Sequence, residues 1–431
     1  MTRTLKFPAK IPFLFCTLFC LYSPFVFSQQ VDTAWVRRYN GPGNGDDKAV
    51  AIAVDSSGNV YVTGSCFDSA TGYDYCTIKY LPNGDTAWVR RYDGPGRPDG
   101  LEGQNDFAVA LALDKAGNVY VTGTVATPLC LGGYGSRDIV TIKYLPNGDT
   151  GWLRGTFAAF CDRADLSALG LAMDSRSNLY IAGQGFHPMY GWYGIALKYD
   201  SGGNAVWGVS RGLSDPSNAL SPIAVDPMGN SVCVIGPEGI FKYDSLGNQV
   251  WAQPFLGTVV GLDLSNNVFI NSFNGIAKLD PFGNLLWNQP FTPFPCGRCY
   301  EGTIALESNG DGSIYVAGFR GYWEILPEYF FEENLLVAKF DSSGNRVWIT
   351  GLSGDSGEVN VYIRPNSMAL DMAGNVYLAG LRSRNFVTVK FDPNGNTEWF
   401  RTYDGPTGTT DEAKDIAVSN DGSVYVAGIS P

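Results

Sequence analysis

The chain repeats a short pattern along most of its length, and this repetition limits the folds that it can adopt. The segment DSSGNVYVTG at residues 55–64 returns as DKAGNVYVTG at residues 114–123, and TIKYLPNGDT at residues 77–86 is repeated without change at residues 141–150. A tryptophan follows each copy of the second segment, at intervals of 36 to 64 residues: Trp88, Trp152, Trp207, Trp251, Trp287, Trp348 and Trp399. Recurrence at this period is typical of proteins built from repeated structural units.

Each unit is predicted to contain four short antiparallel strands, which we call a to d. Strand a is an apolar run such as residues 49–54, strand b contains Val-Tyr-Val, strand c carries a lysine followed by an aromatic residue, and strand d carries the tryptophan. The a–b link (Asp-x-x-Gly-Asn) and the c–d link (Pro-Asn-Gly-Asp) are rich in residues that favour tight turns. One such sheet cannot bury both of its faces, and radial packing of several sheets around an axis solves this problem. The sequence therefore predicts an all-β protein, a β-propeller of four-stranded antiparallel blades.

These motifs resemble a known repeat family. Gly-Asn-Val-Tyr-Val-Thr-Gly, then Thr-Ile-Lys-Tyr, then Asn-Gly-Asp-Thr-x-Trp are similar to the SBBP repeat of bacterial seven-bladed β-propeller proteins, and the resemblance covers residues 30–431. The resemblance implies an exported or surface-exposed propeller. The family has no single assigned activity, so the resemblance transfers no catalytic residue.

The number of blades depends on how the two ends of the chain are interpreted. Residues 47–402 contain seven complete sets of strands a to d. Residues 35–39 have the sequence of a strand d, and residues 415–418 and 423–428 have those of strands a and b. We therefore expect eight blades, the last of which lacks strand c and is closed by both ends of the chain. Seven blades with loosely attached flanks are the alternative.

Residues 1–28 have the features of a secretory signal peptide. Arg3, Lys6 and Lys10 precede an apolar run at residues 11–27, and small residues follow at its end, before a cleavage site at Gln29. A membrane anchor is the alternative interpretation. Elsewhere the sequence contains no run near the roughly 18 apolar residues of a spanning helix. We expect residues 29–431 to be a single propeller domain without a membrane span, located in the periplasm, in the medium or at the cell surface.

Composition excludes several classes of function. Acidic residues outnumber basic ones by 42 to 30, and no basic block is present, which argues against nucleic acid as a partner. His187 is the single histidine, so the sequence cannot provide a multi-histidine metal site or a histidine-based catalytic triad. We expect a monomer without a resident cofactor, apart from a calcium ion as a weak alternative.

The predicted chain path divides the connections between two rims of the propeller. The a–b and c–d turns lie on one rim, the turn rim, and the b–c and d–a connections lie on the other, the loop rim. All long insertions belong to the loop rim: residues 65–75, 93–106, 124–137, 155–165, 184–192, 288–302, 319–334 and 349–366. Because binding residues are commonly found in variable loops on a rigid scaffold, the loop rim is the candidate binding surface.

Two tryptophans lie outside the repeat, and both fall in predicted long loops of the loop rim. Aromatic rings stack on the faces of sugars, and carboxylates accept hydrogen bonds from sugar hydroxyls, so their neighbourhoods are candidate sites for a glycan or a cell-surface polymer. The candidate residues are Tyr190, Trp192, Tyr193, Tyr322, Trp323, Glu324, Glu328 and Tyr329. The alternative is that these side chains cover apolar edges of their own blades.

Two further sets of side chains recur from blade to blade. Asp47, Asp106 and Asp411 occupy equivalent positions before strand a, and they are either caps of the loops or, as a partial ring of carboxylates, ligands of Ca²⁺. A lysine recurs in strand c, and this recurrence indicates a structural role, as an ion pair or as a stem along the blade surface. These lysines are Lys79, Lys143, Lys198, Lys242, Lys278, Lys339 and Lys390.

Seven cysteines follow the predicted signal peptide. In an oxidising compartment, Cys66 and Cys76 are candidates for a disulfide across one b–c connection, and Cys130 and Cys161 for another in the next blade. Cys296 and Cys299 have the C-x-x-C spacing of redox enzymes but lie in a proline-rich connection rather than at the start of a helix. A structural disulfide or an inert pair is the preferred interpretation.

These observations favour a non-catalytic binding or scaffold module for an unknown glycan, polymer or protein at the cell surface. The alternative is a glycan-active hydrolase or lyase, which needs two carboxylates about 5–10 Å apart. Candidates for that pair are Glu324, Glu328, Glu332, Glu333, Asp47, Asp106 and Asp411. The strong similarity of the blades disfavours catalysis, because a catalytic site needs residues that occur at one position only.

Overall fold

The computed structural model describes residues 31–95, 105–127, 136–156, 165–187, 189–212, 223–226, 229–235, 239–255, 257–272, 275–291, 299–326, 328–352 and 363–430. For residues 136, 231–235, 272, 299–301, 322–326 and 328–333 it describes the backbone only. The predicted signal peptide, Cys130, Cys161 and Cys296 lie outside the described residues.

The described residues form thirty strands, arranged in sheets of consecutive strands. Blade 1 contains β1 (Lys48–Val54), β2 (Val60–Asp68), β3 (Gly72–Tyr80) and β4 (Thr86–Tyr92). Blade 2 contains β5 (Phe107–Leu113), β6 (Val119–Thr127), β7 (Ser136–Tyr144) and β8 (Thr150–Gly155). Blade 3 contains β9 (Asp165–Met173), β10 (Leu179–His187), β11 (Gly191–Tyr199) and β12 (Ala205–Gly212). Blade 4 contains β13 (Ile223–Val225), β14 (Ser231–Ile235), β15 (Gly239–Tyr243) and β16 (Gln249–Gln253); blade 5 contains β17 (Val260–Leu262), β18 (Val268–Ser272), β19 (Gly275–Leu279) and β20 (Leu285–Gln289). Blade 6 contains β21 (Cys299–Ser308), β22 (Ile314–Leu326), β23 (Glu328–Phe340) and β24 (Arg346–Leu352); blade 7 contains β25 (Ile363–Leu370), β26 (Val376–Arg382), β27 (Asn385–Phe391) and β28 (Thr397–Tyr403). The last strands, β29 (Glu412–Val418) and β30 (Val424–Ile429), form a two-stranded sheet.

This arrangement confirms the prediction of an all-β propeller with four-stranded antiparallel blades. Every pair of neighbouring strands within a blade is antiparallel, and strands a to d follow one another in the order of the sequence. Blades 4 and 5 have the shortest strands, each with a three-residue strand a.

An aspartate opens the a–b turn in six of the seven four-stranded blades, and it explains the repeated spacing of this motif. In blade 1, Asp55 Oδ1 accepts hydrogen bonds from the amides of Ser57 and Asn59, both at 2.9 Å, and Asp55 Oδ2 accepts the hydroxyl of Tyr61 at 3.0 Å. Gly58 has a φ of +78°, which an L side chain rarely adopts. Burial raises the pKa of Asp55, but the hydrogen bonds outweigh it, and the pKa is lowered overall. The turn is thus held by an ionised carboxylate.

The repeated tryptophan joins each blade to the next. In blade 1, the ring of Trp88 lies between Tyr61 of its own blade, at a centroid distance of 6.2 Å, and Tyr144 of blade 2, at 6.0 Å. Its Nε1 donates a hydrogen bond to the carbonyl of Pro146 in the c–d turn of blade 2, at 3.2 Å. Equivalent bonds connect Trp152 to Ser201, Trp207 to Ser245, Trp251 to Pro281, Trp287 to Ser342 and Trp348 to Pro393.

The repeated lysine serves the same junction. The ammonium of Lys79 lies 5.1 Å from the ring centroid of Tyr61. It also donates a hydrogen bond, at 3.3 Å, to the carbonyl of Pro146, and the same carbonyl accepts the hydrogen bond from Trp88. A cation above an aromatic face is attracted by the negative charge of that face. Lysine lies over the strand b ring in the same way in five other blades, as Lys143, Lys198, Lys278, Lys339 and Lys390.

The β29–β30 sheet packs between blade 7 and blade 1. Strand β29 lies against β1 and against β25. The carboxylate of Asp415 in β29 connects both neighbours, because it accepts the amide of Ile52 in blade 1 at 2.8 Å and the hydroxyl of Ser367 in blade 7 at 2.6 Å. Burial raises the pKa of Asp415 although these bonds oppose the shift.

Residues 35–39 correct one prediction, because they do not form a strand. In the complete blades, strand d forms its ladder with strand c, and within the described residues no strand c lies beside β30. The segment therefore has no backbone partner that would make it a strand. The ring of Trp35 nevertheless packs on the rings of Tyr80 and Tyr425, with a centroid distance of 5.9 Å to each.

Two segments that were predicted to be long loops form strands instead. Residues 319–326 and 328–334 extend β22 and β23 into one long hairpin, and Trp192 lies in β11 rather than in a loop. In blade 6 the register continues without a break from Ile314 opposite Phe340 to Leu326 opposite Glu328. The insertions lengthen the b–c hairpins because their backbone groups pair with each other, which leaves only a short link at the tip.

The predicted disulfide between Cys66 and Cys76 is not formed in this structure, in which both cysteines are free, buried and hydrogen-bonded to each other. Cys66 lies opposite Asp74 in the β2–β3 hairpin, and Cys76 lies opposite Gly64. The two cysteines are therefore diagonal neighbours rather than a facing pair. Cys299 lies in β21, and its side chain is outside the described part of the chain.

Candidate functional site

The b–c hairpin of blade 3 presents a group of aromatic rings on the loop rim. Phe186 at the end of β10 lies opposite Trp192 in β11, and their ring centroids are 5.1 Å apart. Trp192 is half-buried. The cross-strand pair thus gives the end of the hairpin a fixed aromatic base.

The tip of this hairpin is strongly exposed. Tyr190 is 76% exposed and Met189 is 78% exposed. The Tyr190 ring stacks on His187, with centroids 4.6 Å apart, and His187 is buried. The Nδ1 of His187 accepts the amide of Met189 at 3.1 Å, which fixes the turn under the tyrosine. The exposed ring is therefore positioned before any ligand arrives. We call Phe186, His187, Tyr190 and Trp192 the aromatic tip.

Tyr193 has a different environment from its predicted partners. It packs against the apolar cluster between blades 2 and 3, and a Cβ at Gly185 would lie 2.6 Å from its ring. Burial is the main cause of its raised pKa. Tyr193 therefore covers the backbone of its own blade and is not part of the aromatic tip.

The second predicted aromatic group lies along the extended hairpin of blade 6. Trp323 is opposite Phe331, Tyr322 is opposite Glu332, and Glu324 is opposite Phe330. Tyr329 is opposite Ile325, and Glu328 closes the hairpin opposite Leu326. The pairing brings aromatic and acidic residues together on one hairpin. Blades 4 and 5 separate it from the blade 3 hairpin in the chain, so the predicted residues form two groups rather than one.

The repeated aspartates cap loops. Asp47 accepts the amide of Gly41 at 2.5 Å and the amide of Phe67 at 2.9 Å. Asp106 accepts the amides of Gly94 and Ala126 in the equivalent way. The amide of Gly405 likewise donates to Asp411, at 2.5 Å. The carboxylates that the sequence offered as calcium ligands therefore cap loops, and Oδ1 of Asp411 is buried without a hydrogen-bond partner.

One cluster of carboxylates involves residues that the sequence did not single out. Oxygen atoms of Asp74, Asp93 and Asp106 lie within 4.8 Å of one another. The guanidinium of Arg91 lies 2.5 Å from Asp74, so a cation of the chain itself already faces the cluster. Burial, and then the neighbouring carboxylates, raise the pKa of Asp106 to about 7, against the effect of its backbone hydrogen bonds. Asp74 is equivalent to Asp138 of blade 2, and Asp93 is equivalent to Asp404 after blade 7, but the sequence analysis singled out neither of them.

Among the described side chains, the aspartates that the sequence offered for hydrolysis of a glycan do not lie together. Asp47, Asp106 and Asp411 are occupied as loop caps, and each belongs to a different junction between blades. The side chains of Glu324, Glu328, Glu332 and Glu333 are outside the described part of the structure. Within that part, no helix is long and apolar enough to cross a membrane.

The fold and the junctions between its sheets define the class as β-propeller. Residues 34–65 match the model of the SBBP β-propeller repeat. This segment runs from Trp35 through strands a and b of blade 1, and it confirms the resemblance noted from the repeated motifs.

The chain is similar to several known proteins. An uncharacterised WD repeat-containing protein of Acanthamoeba polyphaga mimivirus is 25% identical in an alignment 258 positions long, and the match covers 50% of this chain and 18% of that protein. This chain therefore spans less than a fifth of the length of that relative. The structure of the Dos1 propeller has a TM-score of 0.53 at 12% identity, and the match covers 89% of this chain and 91% of that chain. The WD40 domain of SCAP from fission yeast has a TM-score of 0.46 at 10% identity, over 89% of this chain and 94% of that one.

Proposed function

We propose that this protein is an exported, non-catalytic binding or scaffold module that contacts its ligand through the loop rim. The proposal rests on the aromatic tip. Tyr190 is exposed on a turn that is fixed from below by His187, and nothing in the described part of the repeat requires an aromatic residue there. Propellers related to WD repeats generally act by binding, and this supports the assignment.

The ligand that fits these residues best is a glycan or a cell-surface polymer. A sugar ring packs its C–H face on an aromatic ring, and an exposed tyrosine also offers a hydroxyl that donates and accepts hydrogen bonds. The blade 6 hairpin adds Trp323 and Glu324 to the same rim. Two hairpins on separate blades suit an extended polymer better than a small molecule.

We also propose that the blades close into a ring of eight units. The β29–β30 sheet would provide strands a and b of the last unit, and residues 35–39 would provide the side chains of its strand d. Support comes from Asp415, which bonds to blades 1 and 7, and from Trp35, whose contacts repeat those of Trp88.

Binding to polysaccharides tests the proposed function. The purified protein is screened on a glycan array and in pull-downs with insoluble cell-wall polymers, together with Tyr190→Ala, Trp192→Ala and Trp323→Ala. We expect the wild type to bind at least one polymer, and each variant to lose tenfold or more in affinity with the melting temperature unchanged.

Phe282→Ala is the matched control. Phe282 is 78% exposed, but it lies in a c–d turn on the turn rim. Its removal should leave binding unchanged. Wild-type binding that survives all three loop-rim substitutions, or that falls equally in Phe282→Ala, would rule out the loop rim as the binding surface.

A further inference from the structure

The first strands of the sheets, which we call the inner strands, surround the axis of the propeller. Each inner strand contacts the next, in the order β1, β5, β9, β13, β17, β21, β25 and β29, and β29 contacts β1. A propeller has a central channel around its axis. The inner strands therefore form the wall of this channel, and their side chains determine which ligands can bind there.

One position of the inner strands has a small residue in every sheet except that of blade 6. The position is the second-last residue of the strand, and it lies opposite the aromatic residue or valine of strand b. It is occupied by Ala53, Ala112, Ala172, Ala224, Gly261, Ala369 and Ala417, and in blade 6 by Glu307. Blade 6 thus carries a carboxyl group where the other sheets carry a methyl group or a hydrogen atom.

Packing at this position leaves no room for a long side chain between two blades. A Cβ atom at Gly261 would lie 2.6 Å from the Cδ2 atom of Leu306 in the next inner strand. Ala369 packs against the apolar cluster that contains Ile416 of the next sheet. The side chain of Glu307 must therefore leave the gap between blades 6 and 7 and extend into the channel, and it is exposed.

The environment of the Glu307 carboxyl group agrees with a place inside the channel. Its side chain has accessible surface, yet the surrounding protein raises its pKa to about 7, because it displaces water that would stabilise the charged form. Accessible surface and loss of solvation occur together where a side chain faces a space enclosed by protein. The backbone on both sides is fixed, since Leu306 is buried and the hydroxyl of Ser308 donates to the carbonyl of Leu262 at 2.5 Å.

The described part of the inner strands offers no cation to this carboxyl group. Their three basic residues are held elsewhere: Lys48 over the ring of Tyr73, Arg364 over the ring of Phe319, and Lys414 against Glu412. Among the described residues, the carboxyl group of Glu307 has no ion pair. A carboxylate without a counter-ion, in a space with walls of low dielectric constant, attracts cations from outside.

A second polar group beside Glu307 also lacks a partner. Tyr315 lies directly opposite Glu307, and its hydroxyl is buried without a hydrogen-bond partner. In blade 1 the equivalent hydroxyl donates to Asp55, but blade 6 has Asn309 at the position of that aspartate, and Oδ1 of Asn309 has no partner either. Buried polar groups without partners need an explanation, and a ligand that binds beside them is one.

We propose that the central channel binds a primary ammonium group at Glu307. The ammonium forms an ion pair with the carboxylate, and the aliphatic chain of the ligand contacts the small side chains of the channel wall. One carboxylate provides too few oxygen atoms for Ca²⁺, which takes about six to eight. Two sources supply an ammonium on an aliphatic chain, a free alkylamine and a lysine side chain of another polypeptide. The site does not depend on the ligand proposed for the loop rim.

Alanine methyl groups of the channel wall report on binding. The protein is labelled with ¹³C at these methyl groups and titrated at pH 8 with n-butylamine and, separately, with the capped peptide Gly-Lys-Gly. We expect saturable NMR shift changes at Ala305, which precedes Glu307 by two residues in β21, and at Ala369 in the next inner strand. Changes with n-butylamine alone would identify a free amine as the source, and tighter binding of the peptide would identify a lysine side chain.

Glu307→Ala restores the residue that six other sheets carry at this position, so it should fold. It should abolish the shift changes, and Glu307→Gln, which keeps the size but removes the charge, should weaken binding tenfold or more. Both variants should melt at or above the temperature of the wild type at pH 8, because an unpaired charge is removed. Asp149→Asn, which removes a carboxylate from an exposed c–d turn, is the matched control and should bind as the wild type does.

Three results would overturn the ammonium site. They are no shift change at millimolar concentrations of either probe, equal binding by Glu307→Ala or Glu307→Gln, and a lower melting temperature of both variants, which would assign Glu307 a structural role. Tyr190→Ala should leave binding of both probes unchanged, so failure of the glycan proposal and failure of the channel site are separate results.

Discussion

Trp35 donates a hydrogen bond from its Nε1 to the carbonyl of Pro82, at 3.0 Å, across 47 residues of sequence. The bond has the same form as that from Trp88 to Pro146, at 3.2 Å, which joins blade 1 to blade 2. The beginning of the described chain therefore contacts blade 1 as each complete blade contacts the next. Since β29 packs on the other side of β1, segments from both ends of the chain meet at blade 1.

Removal of the Trp35 ring should destabilise the whole protein. The ring packs on Tyr80 and Tyr425 and belongs to the apolar cluster that connects β1 with β30. Trp35→Ala should lower the free energy of unfolding by about 3 kcal/mol, as typical of large-to-small changes at packed sites. Trp35→Phe keeps a ring but loses the bond to Pro82, and should cost about 1 kcal/mol. Urea unfolding measures both, with Phe282→Ala as the exposed control. If Trp35→Ala and the control had equal free energies of unfolding, the packing of Trp35 would not contribute to stability.

Stability should fall as the pH rises from about 4 to 7. Burial raises the pKa values of Asp106 and Asp138 to about 7, whereas an aspartate in an unfolded chain titrates near 4. Between these values the folded protein holds protons that the unfolded chain has released, so the contribution of both groups is complete below pH 4 and lost by about pH 7.

Asp138→Asn tests this pH dependence. Its Oδ1 accepts the amide of Ile139 at 2.8 Å, and an asparagine oxygen keeps that bond. The plot of unfolding free energy against pH should be flatter in Asp138→Asn than in the wild type between pH 4.5 and 7.5. Asp149→Asn, in an exposed turn, should leave the slope unaltered. A slope in Asp138→Asn equal to that of the wild type would show that Asp138 does not hold a proton in the folded state.

Calcium should not stabilise the protein. The carboxylates of Asp47, Asp106 and Asp411 accept backbone amides, and Arg91 lies against Asp74 in the neighbouring cluster. Titration with Ca²⁺ to a tenfold molar excess and beyond should leave the melting temperature unchanged. An increase that saturates, and that disappears in Asp106→Asn, would instead identify the cluster as a cation site.

Cys66 and Cys76 should be reduced and unreactive in the folded protein. Both are buried. The hydrogen bond that the Cys76 thiol donates to Cys66, together with burial, raises the pKa of Cys76, and the same bond lowers the pKa of Cys66. A thiol reagent should modify neither residue until the protein is unfolded in guanidinium, as peptide mapping by mass spectrometry can show. Recovery of a linked peptide containing both residues under non-reducing conditions would contradict the free thiols.

The sequence predicts the fold well because the same local interactions recur in every blade. The Asp55 turn, the Trp88 junction and the lysine of strand c each follow from short motifs, so one copy explains the others. Asp415 could not be found in this way, since its two bonds join residues far apart in the sequence and no other blade needs them. The strands around Trp323 were mistaken for a loop because their length breaks the spacing of the repeat, although their alternation continues.

The sequence gives only part of the candidate site. It identified Tyr190 and Trp192 from their place outside the repeat, but grouped Tyr193 with them, and the packing of Tyr193 on Gly185 depends on the neighbouring blade. His187 was noted only as the single histidine. Its role beneath Tyr190 arises from the turn at Met189 and Tyr190, which no periodic pattern marks.

Hydrogen exchange at the amide of Ile52 tests the closure of the ring most directly. Ile52 lies in strand a of blade 1, and its N–H binds the carboxylate of Asp415 from the last sheet. The closed arrangement predicts that this amide is strongly protected in the wild type, that Asp415→Asn retains much of the protection through its side-chain oxygen, and that Asp415→Ala exchanges at least tenfold faster. Exchange of Ile52 at the rate of an unprotected amide in the wild type, or equal protection in Asp415→Ala, would contradict the contact between the two ends of the propeller.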